Sequence, residues 1–252
     1  QLINPETEEV FAKGLCERIG IDGSKMEYEV PAKDFEKKLE APMPSHKEAL
    51  ELVMSHLTDK EIGVIASVDE VDALGHRVVH GGEEFAQSVL INDEVLKAIE
   101  ANNDLAPLHN PANLMGIRTC MELMPGKKNV AVFDTAFHQT MKPEAFIYPL
   151  PYEDYKELKV RKYGFHGTSH LYVSGIMREI MGNPEHSKII VCHLGNGASI
   201  TAVKDGKSVD TSMGLTPLQG LMMGTRCGDI DPAAVLFVKN KRGLTDAQMD
   251  DR

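Results

Sequence analysis

From residue 1 to about 40, short β-prone runs such as Val10-Phe11-Ala12 and Met26 to Val30 alternate with turn material at Asp22-Gly23. That pattern predicts an antiparallel meander. The period then changes. Ser45 precedes a segment in which Ala49, Leu50, Leu52, Val53, His56 and Leu57 recur at helical spacing, so residues 46 to 58 are expected to form an amphipathic helix. Leu74 to Val79 follows as a strand ending at Gly81-Gly82, and Asn92 to Asn102 as a second helix. Asn110-Pro111 supplies a cap residue and a first-turn proline for a third. Two continuous apolar runs, Val130 to Phe133 before Asp134 and Ile189 to Cys192 before His193, predict central strands covered on both faces. Ligands of such sheets gather beyond the carboxyl ends of the strands.

Further along, the segment opening at Tyr163 to His170 predicts a helix to about Met181, with Gly182 as its stop. Ala198 to Val203 continues past Asp205-Gly206 as a hairpin, since Asp-Gly supplies the positive φ angles of a two-residue turn. Asp231-Pro232 opens one more helix. No repeat of fixed period is present, and the proline-rich stretch Pro143 to Pro151 is the natural hinge. The reading is an α/β protein of two domains, residues 1–138 and 139–252. The apolar start Gln1-Leu2-Ile3 and the capping box at Thr245 to Gln248, with almost no helix after it, are expected to be interior sequence cut at both ends.

Composition narrows the partners. A chain of 252 residues with 42% hydrophobic and 26% charged residues can bury a sizeable core. Its net charge of -11 disfavours nucleic acid and anionic membranes, which demand clustered Lys and Arg. Cys16, Cys120, Cys192 and Cys227 form no CxxC pair, and three of them sit in apolar or helical surroundings typical of buried thiols. With neither a run of roughly 20 apolar residues nor a signal-peptide pattern, the expected location is the cytoplasm.

The chemistry concentrates between residues 76 and 231. Seven of the ten histidines, His76, His80, His109, His138, His166, His170 and His193, lie in short Gly-, Asn-, Asp- and Thr-rich motifs, which together favour a polar cleft. In His76 to Gly82, strand alternation sends Arg77 and Val79 to one face, a pairing suited to a small carboxylate with a short apolar tail; a surface Arg on an edge strand is an equal reading. Asp134 is carried to a strand end on rigid support, where it can hold a metal, orient a nucleophile, or simply cap a helix. His166 stands near a helix N-terminus, a region suited to anions. His193-Leu194-Gly195-Asn196-Gly197 offers backbone N–H groups to phosphate, although Gly-Asn-Gly also makes ordinary hairpins. Asp210 to Asp231 is too rich in glycine and hydroxyl residues for a packed helix, and Arg226 within it is placed to reach a cleft, unless Asp229 or Asp231 pairs with it.

Six of these motifs, in order, resemble the acetate kinase (acetokinase) family: His76 to Gly82, Leu108 to Pro111, Val132 to His138, Tyr163 to His170, His193 to Gly197, and Asp210 to Asp231. The resemblance implies the two-domain acetate and sugar kinase/Hsp70/actin-like fold, truncated at both ends. Residues 1–138 would be the N-terminal domain and 139–252 the nucleotide-binding one. It implies ATP-dependent phosphorylation of acetate to acetyl phosphate, with Mg²⁺, in a cytoplasmic homodimer. By the same resemblance Arg77 binds the carboxylate, Asp134 is the active-site acid, and His166 and Arg226 stabilise the transition state. Val79, Leu108, Phe165 and Pro217 line the pocket for the methyl group, and His193, Leu194, Gly195, Asn196 and Gly197 form the ATP phosphate loop. The family's first phosphate loop, its adenine motif and its metal-binding glutamate fall outside this sequence. Metal ligands are therefore not assigned, and the isolated chain is expected to be catalytically crippled. Gln219, where the family usually carries Glu, and Lys142-Pro143 are departures.

Two other readings compete. A propionate or butyrate kinase shares the chemistry and differs in pocket volume, where one methylene is worth only about 1–3 kcal/mol. A nucleotide-driven switch of the same fold needs neither Arg77 nor a small apolar pocket, and carboxylate-dependent phosphoryl transfer separates it from a kinase. A histidine-rich metallohydrolase lacks its ligand spacing here.

Overall fold

Alternation in the first forty residues is realised as strands β1 (Leu2–Ile3), β2 (Val10–Glu17), β3 (Lys25–Val30) and β4 (Phe35–Glu40), which form an antiparallel sheet in sequence order. The computed structural model describes all 252 residues, and they pack into two units that interleave along the chain. The first comprises Gln1–Arg77, Val89–Glu100 and Leu108–Ala131; the second comprises Val78–Ser88, Ala101–Pro107 and Val132–Arg252.

In the first unit, β3 buries Met26, Tyr28 and Val30 while Glu27 and Glu29 face outward to pair with Lys38 and Lys13. Helix α1 (His46–Leu57) starts where Ser45 Oγ accepts from the Lys47 N–H at 3.1 Å. Its Leu52, Val53 and Leu57 close over Ala12, Met26, Tyr28 and Val30, so sheet and helix share one core. Strands β5 (Ala73–Val78), β6 (Val89–Leu90) and β7 (Lys128–Phe133) form a second sheet, ordered β5-β7-β6. Helices α2 (Asp93–Ala101) and α3 (Asn110–Leu123) bury Ile99 and Ile117. The last residues of β5 and β7 belong to the second unit.

The second unit continues with short helices α4 (Pro143–Phe146) and α5 (Tyr152–Leu158), then α6 (Gly167–Ile180). Strands β8 (Lys188–Leu194), β9 (Ala198–Lys204) and β10 (Lys207–Thr211) follow as an antiparallel sheet ordered β10-β9-β8. Helices α7 (Pro232–Arg242) and α8 (Asp246–Asp250) complete the chain. Two expectations are corrected here. The apolar run Ile189 to Cys192 is not a strand covered on both faces: β8 pairs with β9 alone, Val191 packs with Phe137 and Val203, and Ile190 is 66% exposed. Only Cys120 is a buried thiol; Cys192 and Cys227 are exposed and Cys16 is partly so.

Burial of polar groups distinguishes this unit. Arg161 is buried against the Phe146 ring, its guanidinium carbon 3.6 Å from the centroid, and donates to Glu83 Oε1 at 2.7 Å. Tyr155 donates to the same oxygen at 3.0 Å. Three fully buried histidines lie nearby in the fold. His80 stacks edge-on to Tyr163, its ring centroid 4.4 Å away. His138 donates from Nε2 to the Phe165 carbonyl at 3.0 Å and accepts at Nδ1 from Ser208 Oγ at 2.9 Å. His170 lies 5.8 Å from His138, centroid to centroid.

Burial lowers the pKa of His80 and His138 to about 4, and burial together with the neighbouring histidines lowers that of His170 to about 3. The unfolded chain protonates these rings near 6.5, so it binds more protons than the folded chain below that value. The contribution of these rings to stability is therefore fully present above pH 6.5 and falls on acidification towards about 4, each ring contributing up to ~1.4 kcal/mol per pH unit. Thermal melts between neutral pH and pH 4.5 check this, and a flat melting temperature would contradict it. Removing the partner of a buried charge costs roughly 3–5 kcal/mol. Because the Glu83 side chain is 27% exposed, Glu83→Ala is expected at the lower end, about 3 kcal/mol, measured by urea unfolding.

Candidate active site

Asp134 directly follows β7, and its backbone is held from two sides. Its N–H donates to the Val78 carbonyl at 3.0 Å, and its carbonyl accepts from the Gly167 N–H at 2.8 Å. A Cβ at Gly167 would overlap the Asp134 carbonyl, so this approach of strand end to helix start requires glycine. Asp134 is buried, and the adjoining Thr135 accepts from the Gly81 N–H at 3.2 Å.

His166 immediately precedes α6 in the left-handed conformation, φ +59°, which costs a non-glycine residue of order 1–3 kcal/mol. Its ring is fixed on two sides. Nδ1 lies 2.8 Å from Ser199 Oγ, and the His193 ring stacks on it with centroids 4.1 Å apart. His193 is itself tied through Nδ1 to Ser169 Oγ at 2.9 Å. The Ser199 oxygen also lies 2.7 Å from Nε2 of buried His170.

The turn at Gly195 to Gly197 is the β8–β9 hairpin, with His193 paired to Ser199 across it. A methyl group added at Gly197 would lie 3.3 Å from His166 Nε2 and 3.5 Å from Arg226 Nη1, so imidazole and guanidinium face the same space over that glycine. Arg226 Nη1 donates to the Pro217 carbonyl at 3.1 Å. Neither nearby carboxylate neutralises it: Asp229 accepts from the Gly220 N–H and Asp231 caps α7 at Ala233. The segment from Ser212 to Asp231 has no regular structure, as its composition predicts.

Beside the Arg226 guanidinium is an apolar cluster of Val79, Ala106, Phe165 and Met213, with Met223 packed on it. Met223 Sδ also lies 3.7 Å from Arg226 Nη1. The structure thus brings together Asp134, His166, His193, Gly197, Arg226, Pro217, Val79 and Phe165 in one unit. Arg77 and Leu108 belong to the other unit, where Arg77 is an exposed residue of β5 and Leu108 is 85% exposed. Within the hairpin, Leu194 and Asn196 are exposed. Sequence reasoning missed Ser199, Ala106, Met213 and Met223. For Ser199 the one available signal was a hydroxyl at an inward strand position next to the Gly-Asn-Gly turn. The chain contains no cluster of three His, Cys, Asp or Glu side chains suited to a metal ion.

Comparisons with known proteins place the chain in a family. The model of the acetokinase family matches residues 1–252. The chain is 97% identical to an acetate kinase of Fusobacterium nucleatum subsp. nucleatum, over the whole chain and 63% of that relative. It is 60% identical to an acetate kinase of Caldanaerobacter subterraneus subsp. tengcongensis over the same shares. Among solved structures, Porphyromonas gingivalis acetate kinase superposes with a TM-score of 0.93 at 46% identity, covering 99% of this chain and 62% of that one. A propionate kinase of Francisella tularensis subsp. tularensis gives 0.91 at 44%, with the same coverage. The chain therefore spans a little under two thirds of the relatives it matches. Full-length coverage by the family model, on the acetate and sugar kinase/Hsp70/actin-like fold, establishes that the chain belongs to the acetokinase family.

Proposed function

We propose that this chain carries the phosphoryl-transfer site of an acetate kinase, which moves the γ-phosphoryl group of ATP directly to acetate, giving acetyl phosphate and ADP, and back. The observation that carries the reading is the convergence of His166 Nε2 and the Arg226 guanidinium over Gly197, next to a small apolar cluster containing Val79 and Phe165.

A carboxylate nucleophile is already ionised at neutral pH, so its attack on phosphorus needs positioning and charge neutralisation more than a general base. As the phosphoryl group passes in line, one P–O bond forms to the acetate oxygen while that to ADP breaks, and charge spreads over three equatorial oxygens. Arg226, with no carboxylate partner, and His166 meet that charge. Val79, Phe165 and Pro217 receive the methyl group; the family resemblance is the sole support for Leu108 as a further methyl contact and for Arg77 as the partner of the carboxylate. In the His193 to Gly197 turn the Gly195 N–H is donated to the Gly197 carbonyl at 3.1 Å, and the backbone N–H groups of Asn196 and Gly197 are the ones offered to the ATP phosphates.

ATP is taken as its magnesium complex. Within this chain Asp134 is the buried carboxylate at the site, which fits a role as a single protein ligand, the remainder being phosphate oxygens and water. The proposal includes a cytoplasmic homodimer, supported by the family resemblance; no helix is long and apolar enough to cross a membrane. Propionate is a second substrate in this reading. Met213 and Met223 give the apolar cluster adaptable walls, and one structural relative is a propionate kinase.

The test is hydroxylamine-trapped acetyl phosphate formation from ATP, magnesium and acetate, with the chain extended to the length of its relatives. Arg226→Ala is expected to lower turnover by roughly 10²- to 10³-fold. Arg77→Ala is expected to raise the KM for acetate with a smaller change in kcat; an unchanged KM would remove Arg77 from carboxylate binding. No acyl phosphate from any short carboxylate would replace this reading with the nucleotide switch.

A further inference from the structure

Ser199 and His170 have no role in the mechanism just given, yet both are fully buried and both are bonded towards His166. His170 offers two ring nitrogens. Nε2 lies 2.7 Å from Ser199 Oγ, whereas Nδ1 is buried without a hydrogen-bond partner. A neutral imidazole has one N–H donor and one acceptor nitrogen. Burial keeps this one neutral, its pKa lowered to about 3 by desolvation and by His138, His166 and His193. An orphaned buried N–H is the rarer and costlier defect, while an underused acceptor is better tolerated. The proton of His170 therefore sits on Nε2 and is donated to Ser199 Oγ.

A serine hydroxyl has a single proton to give. With Oγ accepting from His170, its O–H points to the other neighbour, His166 Nδ1, at 2.8 Å. That nitrogen accepts, so His166 carries its own proton on Nε2, the atom that faces the space over Gly197 beside Arg226. The stacked His193 ring holds the plane of the imidazole, and the serine holds its rotation and tautomer.

We propose that Ser199 and His170 are positioning residues which fix the tautomer of His166 and so present its Nε2–H as a donor to an anionic group bound over Gly197. That the anion is a transferring phosphoryl group rests on the functional reading above; the direction of the relay does not. The arrangement lets a neutral His166 stabilise developing charge without taking or losing a proton, and a tautomer error would leave a lone pair facing the anion.

The test is nitrogen NMR of the chain labelled with ¹⁵N-histidine near neutral pH, with the His166 signals assigned by their loss in His166→Gln. In the unsubstituted protein Nδ1 of His166 is expected as the unprotonated nitrogen and Nε2 as the protonated one. In Ser199→Ala the two nitrogens should average towards a mixture of tautomers, and Ser199→Thr, which keeps the hydroxyl, should restore the original pattern. In protein of the relatives' length, Ser199→Ala should lower kcat about tenfold while the KM values for acetate and ATP stay within about twofold. A proton on Nδ1 of His166 in the unsubstituted protein overturns the proposal whether or not any variant folds, and so does an unchanged tautomer in Ser199→Ala. If the tautomer is as stated but no acyl phosphate is ever formed, the relay stands and the acetate kinase reading falls.

Discussion

The rest of the site depends on one backbone contact, the hydrogen bond from the Gly167 N–H to the Asp134 carbonyl at 2.8 Å. It joins the end of β7 to the start of α6, and no side chain larger than hydrogen fits between them. The strand end carries the carboxylate and the helix start carries His166, so a single contact sets the separation of two groups that lie thirty-two positions apart in the chain. The conformational cost of His166 at positive φ is borne there too. Local strain of this kind persists where the surroundings over-determine it, here through Ser199, the His193 ring and the first turn of α6.

Around that contact the protein meets its polar needs by burying neutral histidines. A chain with net charge -11 has to recruit an anion through local cations. Arg226 supplies a full positive charge, and its neighbours Asp229 and Asp231 are spent on the Gly220 N–H and on the α7 cap instead of quenching it. The histidines behind supply direction. His138 bridges the Phe165 carbonyl and Ser208, and His170 reaches Ser199. His138 has both ring nitrogens bonded, whereas His170 leaves Nδ1 without a partner, and these bonds rigidify what they hold.

Much of this was legible in the sequence, where local chemistry determines local structure. Ser45 followed by apolar positions at helical spacing marks α1 to within a residue, and the β-prone run Met26 to Val30 marks β3. Asp134 and His166 announce themselves because a strand end and a helix start each leave a signature. What escaped depends on distant neighbours. Ile189 to Cys192 has the composition of a doubly covered strand, yet hydrophobicity reports the residue and not what lies opposite, and Ile190 faces outward. Met213 and Met223 sit in a glycine-rich segment with no period, so nothing in their spacing joins them to Val79 and Ala106. Ser199 is an ordinary strand serine until the β8–β9 register sets it across from His193.

The central claim is that His166 and Arg226 together recognise a phosphoryl group in flight between ADP and a carboxylate. Calorimetric binding of a planar trigonal anion, such as nitrate, to the protein with ADP, magnesium and acetate present tests it most directly, because such an anion mimics the transferring group and not the ground state. The account predicts that the anion binds tightly only when ADP and acetate are both bound, and that this synergy vanishes in both Arg226→Ala and His166→Ala. Equal anion affinity with and without acetate, or undiminished synergy in either variant, would contradict it.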